Sequence, residues 1–145
     1  MKKLILILSL AFCVSAFAEI KWNTDFMKAL KTAKEENKAV FAYFSGSDWC
    51  MYCIKLHNEV LNKPAFEKFA EKELVPVLID FPQEKKLPPK QAKMNESLAR
   101  IYRVSAFPTV LILNSKGKIL LRTGYTRQTP EEYIKTIKAV IPKKK

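Results

Sequence analysis

The chain has 145 residues, of which 48% are hydrophobic and 28% are charged; this balance excludes a mostly disordered protein and favours a single globular domain. Its formal net charge is +12, because 26 lysines and arginines stand against 14 aspartates and glutamates. The lysines are spread through helical segments, without the glycine-rich basic runs or the alternation with aromatic residues that would favour nucleic-acid binding, so we expect no nucleic-acid partner. The charge indicates instead a solvated surface, or loose attraction to anionic membranes and partner proteins.

The first 18 residues have the pattern of a cleaved signal peptide. Two lysines precede an apolar run that ends at Ala18 in the small-large-small sequence at which signal peptidase cleaves. The run is about 15 residues long, shorter than the roughly 20 needed to cross a bilayer. We therefore expect an exported, periplasmic protein with a signal peptide over residues 1–18 and one domain over residues 19–145. An uncleaved N-terminal anchor, or a lipoprotein modified at Cys13, is the alternative.

The region after residue 18 predicts helices and strands in alternation. A capping residue at Asn23 or Thr24 should open a first helix, and the apolar, aromatic run that follows this helix is typical of a buried strand. Pro64 suits the first turn of a later helix, whereas Pro76 is a mild objection to the strand in which it falls. The predicted elements of this half are a helix to about Asn37, a strand at 39–44, helices at 50–61 and 65–72, and a strand at 74–80.

The second half of the chain opens with a proline-rich loop at 81–89 and closes with a capped helix. Thr129 and Glu132 form a capping box, with Pro130 at the first helical position. The predicted elements are a helix at 90–102, strands at 109–113 and 118–122 around a turn at 114–117, and a helix from Pro130 to about Ile141; a short strand at 19–22 could precede them all. We predict the α/β class, with a parallel strand pair, an antiparallel hairpin, and helices on both faces of one mixed sheet.

Cys50 and Cys53 form a C-x-x-C motif where the first strand gives way to a helix. Cysteines three residues apart at the start of a helix share one face and lie close enough to form a disulfide. The unpaired N–H groups of the first turn and the helix dipole favour a thiolate at Cys50, and a thiolate is the species that attacks disulfides. Cys50 is thus the predicted nucleophile, and Cys53, one turn further in, the residue that resolves the mixed disulfide.

Metal binding is another use of such a motif. A zinc site needs two further ligands, and after the predicted cleavage the chain has no other cysteine and a single histidine, His57. We therefore expect neither a resident metal nor another cofactor. A Cu(I) site built from Cys50, Cys53 and His57 stays open as an alternative, and so does a purely structural disulfide.

A second motif, Phe-Pro-Thr at 107–109, lies about 55 residues after the cysteines, directly at the predicted strand. Together with Trp49 and the two cysteines, it makes the sequence resemble the thioredoxin superfamily over essentially the whole region after residue 18. The stretch 44–56, with Asp-Phe-Pro at 80–82 and Arg-Thr-Gly-Tyr at 122–125, is similar to a group of exported bacterial thioredoxin-like proteins with a Trp-Cys-x-x-Cys motif. The resemblance implies a thioredoxin fold, with a central mixed sheet flanked by helices.

The resemblance also implies roles for residues around the dithiol. Pro108 matches a cis-proline loop that faces the two cysteines, the backbone of Phe107 would pair with an extended substrate strand, and Trp49 flanks the site. Met51 and Tyr52 should form an exposed rim around the dithiol. With Phe107 and Trp49 they would make a small apolar patch that contacts partner chains.

Some positions depart from the thioredoxin pattern. Thioredoxins carry a buried aspartate on the strand before the motif, which helps to move the proton of the second cysteine, whereas the nearest position here is Tyr43. The pair Met51-Tyr52 between the cysteines matches neither reducing thioredoxins nor oxidases and isomerases, so it does not give the redox direction. His57 lies four residues after Cys53 on the same helix face, where it would act as an acid or base, tune Cys53, or simply be an exposed side chain.

These observations predict an exported thiol–disulfide oxidoreductase that acts on protein substrates and is recycled by a redox partner protein. We favour reduction, because the chain has neither the large helical insertion of dedicated oxidases nor a second domain for isomerase dimerisation. The alternatives are a copper-handling chaperone on a thioredoxin fold and a non-catalytic module that binds partners through the groove at Phe107 and Pro108.

Overall fold

The computed structural model describes residues 19–143; the predicted signal peptide, residues 1–18, lies outside the described residues. The strands are β1 (Ala39–Ser45), β2 (Leu74–Asp80), β3 (Thr109–Leu113) and β4 (Ile119–Thr123). They form one mixed sheet in the order β2–β1–β3–β4, in which β1 runs parallel to β2 and antiparallel to β3, and β3 runs antiparallel to β4. The parallel pair and the antiparallel hairpin predicted from the sequence are confirmed.

Helices cover both faces of this sheet. They are α1 (Phe26–Glu35), α2 (Met51–Leu56), α3 (Pro64–Glu73), α4 (Pro89–Ile101) and α5 (Pro130–Lys138). The buried residues on the face of α1 and α4 include Phe26, Phe44 and Leu98, and those on the face of α2, α3 and α5 include Phe41, Leu56, Phe66 and Tyr133. The predicted α/β class is therefore confirmed.

The central strand β1 carries the loop that becomes the site. All seven of its residues are buried, since β1 lies in the middle of the sheet beneath both helix layers. Successive side chains of a strand point to opposite faces, so Phe41 and Tyr43 join one core cluster while Ala42 and Phe44 join the other. The chain leaves β1 after Ser45 and enters α2 six residues later.

The segment before α1 adds only a single bridge to the sheet, rather than the short strand considered for residues 19–22. Asn23 pairs in parallel with Val77 along the outer edge of β2. Its backbone N–H and its side-chain amide both donate to the carbonyl of Pro76, at 3.0 and 2.9 Å. Because β2 is an edge strand, it tolerates a proline that cannot donate to a neighbour, and this removes the objection to the predicted strand.

The predicted cap of α1 is wrong by one or two residues. Asp25 is the N-cap, and its carboxylate accepts from the N–H of Lys28 at 3.0 Å. The side chain of Asn23 is hydrogen-bonded to the edge of β2 and so does not cap the helix. Thr24 is followed by Asp25, a residue type that caps helices equally well. The choice between neighbouring capping residues therefore depended on a long-range contact.

Other boundaries moved by a few residues. α1 ends at Glu35 rather than at Asn37, whose φ of 51° lies in the left-handed region that stops a helix. α5 ends at Lys138 rather than Ile141, and its predicted capping box is confirmed. Within residues 19–143, no helix combines the length and the apolar character needed to cross a bilayer.

The helix predicted over 50–61 is interrupted. After α2, residues His57–Leu61 form a π-helical turn in which the N–H of Asn62 donates to the carbonyl of His57 at 2.9 Å. The extra residue in this turn lets the neighbours Val60 and Leu61 both reach the core, which a regular α-helix would not allow as readily. It also leaves Glu59 on the surface, where it meets the loop after β4.

Candidate active site

Cys50 and Cys53 lie where the loop after β1 enters α2, and a disulfide joins them with their Cα atoms 5.2 Å apart. The loop turns at Gly46, whose carbonyl accepts from the N–H of Cys50 at 2.9 Å. Cys50 is the N-cap of α2, and its Sγ accepts a hydrogen bond from the N–H of Cys53 at 3.2 Å. In the reduced form, a hydrogen bond of this kind stabilises a thiolate at Cys50.

The two cysteines differ in how far they are enclosed. Cys50 keeps 6% of its surface exposed and Cys53 only 1%. A partner disulfide can therefore approach the sulfur of Cys50 before that of Cys53. The arrangement is suited to an attack by Cys50 followed by a second attack from the inner cysteine.

An apolar rim surrounds the disulfide. Trp49, Met51 and Tyr52 are 42%, 65% and 50% exposed. The ring of Trp49 meets the ring of Phe107 edge to face, with centroids 5.9 Å apart. These are four of the residues that the sequence predicted around the dithiol, and the fold brings them together.

The cis-proline loop adjoins this rim, since the ring of Phe107 belongs to both. The peptide bond between Phe107 and Pro108 is cis. Gly124, just after β4, packs against this loop, because a Cβ atom there would lie only 2.7 Å from the carbonyl oxygen of Pro108. The position therefore requires glycine for close approach of two backbones. Pro108 and Tyr52 line one groove, which also includes Phe107.

A set of hydrogen bonds, here called the loop clamp, holds the loop before Cys50 against the loop after β2. The carboxylate of Asp48 accepts from the backbone N–H groups of residues 83, 84 and 85, at 2.9, 2.9 and 3.1 Å. These bonds, above all the one from Gln83, hold the pKa of Asp48 below its usual range. The indole of Trp49 donates to the carbonyl of Phe81 at 2.7 Å, and Ser47 donates to Asp80 from its N–H and its hydroxyl.

A cavity of about 360 Å³ lies behind the inner cysteine. Cys53, His57 and Tyr43 all line it, and among its described lining residues there is no carboxylate. The buried hydroxyl of Tyr43 donates to the carbonyl of Cys53 at 3.0 Å. Burial raises the pKa of Tyr43 to about 12, an effect opposed by a hydrogen bond with Ser45. Tyr43 is therefore a neutral phenol where the thioredoxin pattern would have an aspartate.

Two residues of the groove beside Pro108 were missed by the sequence analysis. Tyr125 and Arg127, from the loop between β4 and α5, line it together with Tyr52. Tyr125 was noted there only as part of a motif. Its stacking on Tyr52 joins residues that are far apart in the chain, so no local spacing indicates it.

Over residues 19–143, no group of three or more histidines, cysteines, aspartates and glutamates is arranged to hold a metal ion. His57 lines the cavity behind Cys53 and is exposed on its other side. The cysteines themselves are joined to each other.

The fold and the cysteine pair define a class of protein, the thiol–disulfide oxidoreductases built on the thioredoxin fold. Residues 26–141 match the family model described as a thioredoxin-like domain. The chain belongs to that family, and the resemblance to the thioredoxin superfamily drawn from the sequence is confirmed.

Individual relatives agree with this class. The chain is 33% identical over 126 residues to a disulfide bond reductase, DsbH, of Chlamydia pneumoniae, covering 87% of this chain and 75% of the relative. A solved structure of a DsbH oxidoreductase matches with a TM-score of 0.80 at 33% identity, over 85% of each chain. A thioredoxin-related protein, DsbJ, of the same organism is 28% identical over 105 residues, which are 72% of this chain but 30% of that protein. The enzyme class predicted from the sequence is thereby confirmed.

Proposed function

We propose that this protein reduces disulfide bonds of other proteins outside the cytoplasm, with Cys50 as the attacking cysteine and Cys53 as the resolving one. The observation that carries the proposal is the hydrogen bond from the N–H of Cys53 to the Sγ of Cys50 at the start of α2. It supports a thiolate at the less enclosed of the two cysteines, which is the state and the position that an attacking sulfur requires.

The reaction has two exchange steps. The Cys50 thiolate attacks one sulfur of a substrate disulfide, forming a mixed disulfide and releasing the other substrate sulfur as a thiolate that takes up a proton. The thiol of Cys53 then loses its proton and attacks the Sγ of Cys50, which releases the second substrate sulfur and leaves the Cys50–Cys53 disulfide. Two electrons pass from the dithiol to the substrate, so a redox partner protein must return two electrons for each turnover.

The direction of transfer is supported by the relatives rather than by the residues between the cysteines. The 33% identical protein is named a disulfide bond reductase. Reduction also agrees with the short connections between the elements of residues 19–143, which leave no room for a large helical insertion. We therefore propose protein disulfides as substrates and a dithiol protein as electron donor.

The rim and the cis-proline loop would hold the substrate chain. Trp49, Met51 and Tyr52 offer exposed apolar and aromatic surface next to Cys50. Phe107 contacts this surface through Trp49, and its backbone would pair with an extended substrate segment, as in other cases of strand addition. We propose these five residues as the substrate-binding residues.

The first residues of the chain support the proposed place of action. A signal peptide over residues 1–18, cleaved after Ala18, would deliver the domain at 19–145 to the periplasm. The excess of basic residues would then favour loose association with anionic membrane surfaces or acidic partners. Detection of the mature chain in a periplasmic extract, with Glu19 as its first residue, tests this part.

The reduction potential tests the proposal directly. The reduced and oxidised protein should be equilibrated with glutathione, and the Cys50–Cys53 pair should show a potential near −270 mV, as in reducing thioredoxins, rather than near −120 mV, as in strong oxidants. In parallel, Cys53→Ala should accumulate mixed disulfides with periplasmic proteins, because the second exchange step is blocked. Cys50→Ser is the matched control and should trap nothing. A potential near −120 mV, or equal trapping by both variants, would contradict the proposal.

His57 is our proposed proton acceptor for the second step. It lines the same cavity as Cys53, one helical turn away, and an imidazole is the side chain best suited to exchange protons near neutral pH. Since that cavity contains no described carboxylate, water inside it would connect the thiol to the imidazole.

A two-phase experiment isolates this role. With a symmetrical aromatic disulfide as substrate, the first thiolate is released by Cys50 and the second by Cys53. His57→Gln should slow the second release relative to the first by about tenfold near pH 7, less than a directly bonded base would contribute, and change its pH dependence. Asn58→Ala, an exposed neighbour on the same turn, is the control. An unchanged second phase in the His57 variant would show that the histidine is only an exposed side chain.

A further inference from the structure

The groove beside Pro108 has one wall made of two tyrosines from distant parts of the chain. Tyr52 of α2 and Tyr125 of the loop after β4 are stacked, with ring centroids 5.7 Å apart and planes inclined by 28°. The hydroxyl of Tyr125 donates to the carboxylate of Glu59 at 2.6 Å, a bond that raises the pKa of Tyr125. The stack is thus fixed from the side of the π-helical turn, and Tyr52 still exposes half of its surface to the groove.

The groove also contains a cationic side chain. Arg127 lines the groove and is exposed. Its backbone is held in the left-handed region, with φ at 57°. Within residues 19–143 its guanidinium forms no ion pair. A second cation, the Nζ of Lys55, lies 5.8 Å from the centroid of the Tyr52 ring.

These positive charges favour the binding of a carboxylate, which the aromatic surface alone would not do. A guanidinium binds a carboxylate through two parallel hydrogen bonds, and such a pair is strongest where neighbouring surface excludes part of the water. The groove is also continuous with the rim around Cys50, since Tyr52 belongs to both. With a formal net charge of +12, the whole chain attracts acidic partners over longer distances as well.

We propose that this groove selects substrate segments that carry a carboxylate next to the attacked cysteine. The carboxylate pairs with Arg127 while the adjoining substrate chain lies against the Tyr52–Tyr125 stack. The inference rests on the proposed reductase function and names the substrate class for it: acidic segments around a disulfide. Arg127 and Tyr125 are then specificity-determining residues, which take no part in the exchange of sulfur atoms.

The test uses two peptides, each closed by one disulfide and identical except that glutamates flanking both cysteines in one are glutamines in the other. Reduced protein is mixed with each peptide in single turnovers, quenched with acid and analysed for reduced peptide, at low and high salt. The glutamate peptide should react about fivefold faster at low salt, the advantage of a partly exposed ion pair, and less so at high salt. In Arg127→Gln the ratio of the two rates should fall to the smaller advantage, well below fivefold, that long-range attraction alone gives.

Lys116→Gln is the matched control. Lys116 is exposed and lies in the hairpin turn at the far end of β3. Its substitution removes the same single charge, so the net charge of the two variants is equal. Its ratio should stay near fivefold. Equal rates for the two peptides in the unchanged protein, or a ratio in Arg127→Gln that stays as high as in Lys116→Gln, would overturn the inference. If neither peptide is reduced at all, the reductase proposal itself fails.

Discussion

Tyr43 shows how one side chain changes the chemistry behind the dithiol. Its hydroxyl ties β1 to the carbonyl of Cys53 without placing a charge near the inner sulfur. A carboxylate there would act as a base, whereas a phenol with a pKa near 12 stays protonated at every physiological pH. Tyr43 is therefore a positioning residue, and the proton of Cys53 must leave through the cavity.

Replacing Tyr43 by phenylalanine tests this at the level of stability. The free energy of unfolding at pH 7 should fall by about 1 kcal/mol, the usual net value of one hydrogen bond, because the Cys53 carbonyl keeps its second bond from the N–H of His57. The folded state raises the pKa of Tyr43, so the neutral side chain stabilises the fold fully below about pH 10. As the pH rises toward 12, ionisation of Tyr43 lowers the free energy of unfolding of the unchanged protein by about 2 kcal/mol.

Urea denaturation at pH 7, 10 and 11 measures both effects. The variant should start lower and then lose less stability between pH 10 and 11 than the unchanged protein does. Tyr52→Phe is the matched control, since it removes the hydroxyl of a tyrosine that is half exposed. Identical alkaline profiles for the Tyr43 variant and the unchanged protein would refute the account.

At the scale of elements, the loop clamp fixes the entrance to α2. Asp48 accepts three backbone hydrogen bonds from residues 83–85, and Trp49 donates to Phe81. Gly46 makes room for the indole, because a Cβ atom there would lie 2.7 Å from the Cζ2 atom of Trp49. Two loops that follow neighbouring parallel strands thus support the rim residue next to Cys50.

Asp48→Asn should weaken the clamp, because an amide offers one acceptor oxygen in place of two. The free energy of unfolding at pH 7 should fall. Since the pKa of Asp48 is lowered in the folded state, its contribution is present above about pH 4 and is lost as the pH falls further. The difference between the variant and the unchanged protein should therefore shrink toward pH 3 in urea denaturation.

Glu96→Gln is the control for this prediction. Its carboxylate is exposed on α4 and forms no ion pair in the part of the chain that the structure describes. It should have little effect at pH 7. A difference between Asp48→Asn and the unchanged protein that stays constant from pH 7 to pH 3 would contradict the assigned role of the charge.

For the molecule as a whole, the sequence predicts well those helices and strands whose signals lie within a short stretch of residues. The run of apolar residues at 39–44 marks a buried strand, the pair Cys50 and Cys53 marks the start of a helix, and the capping box at Thr129 marks the last helix. Each signal lies within a few residues, because strand burial, helix capping and cysteine spacing act locally. The mixed sheet followed from the order of these elements.

The parts that sequence reasoning missed depend on contacts between distant residues. The loop clamp joins residues 32 to 37 positions apart, and the bond from Tyr125 to Glu59 spans 66. The π-helical turn arises because Val60 and Leu61 are both drawn into the core, which only the packing around them decides. Helix capping at Asp25 likewise depended on where Asn23 was already bound.

The loop clamp also determines which substitutions are tolerated on this side of the protein. The carboxylate of Asp48 accepts from main-chain N–H groups of residues 83–85, and nothing in those three bonds depends on which side chains are present. Drift at these three positions should be neutral for the clamp, with one exception: proline, which has no N–H to give. A family of such sequences would then keep the aspartate while its partners vary freely, so the interaction would leave no trace in paired substitutions.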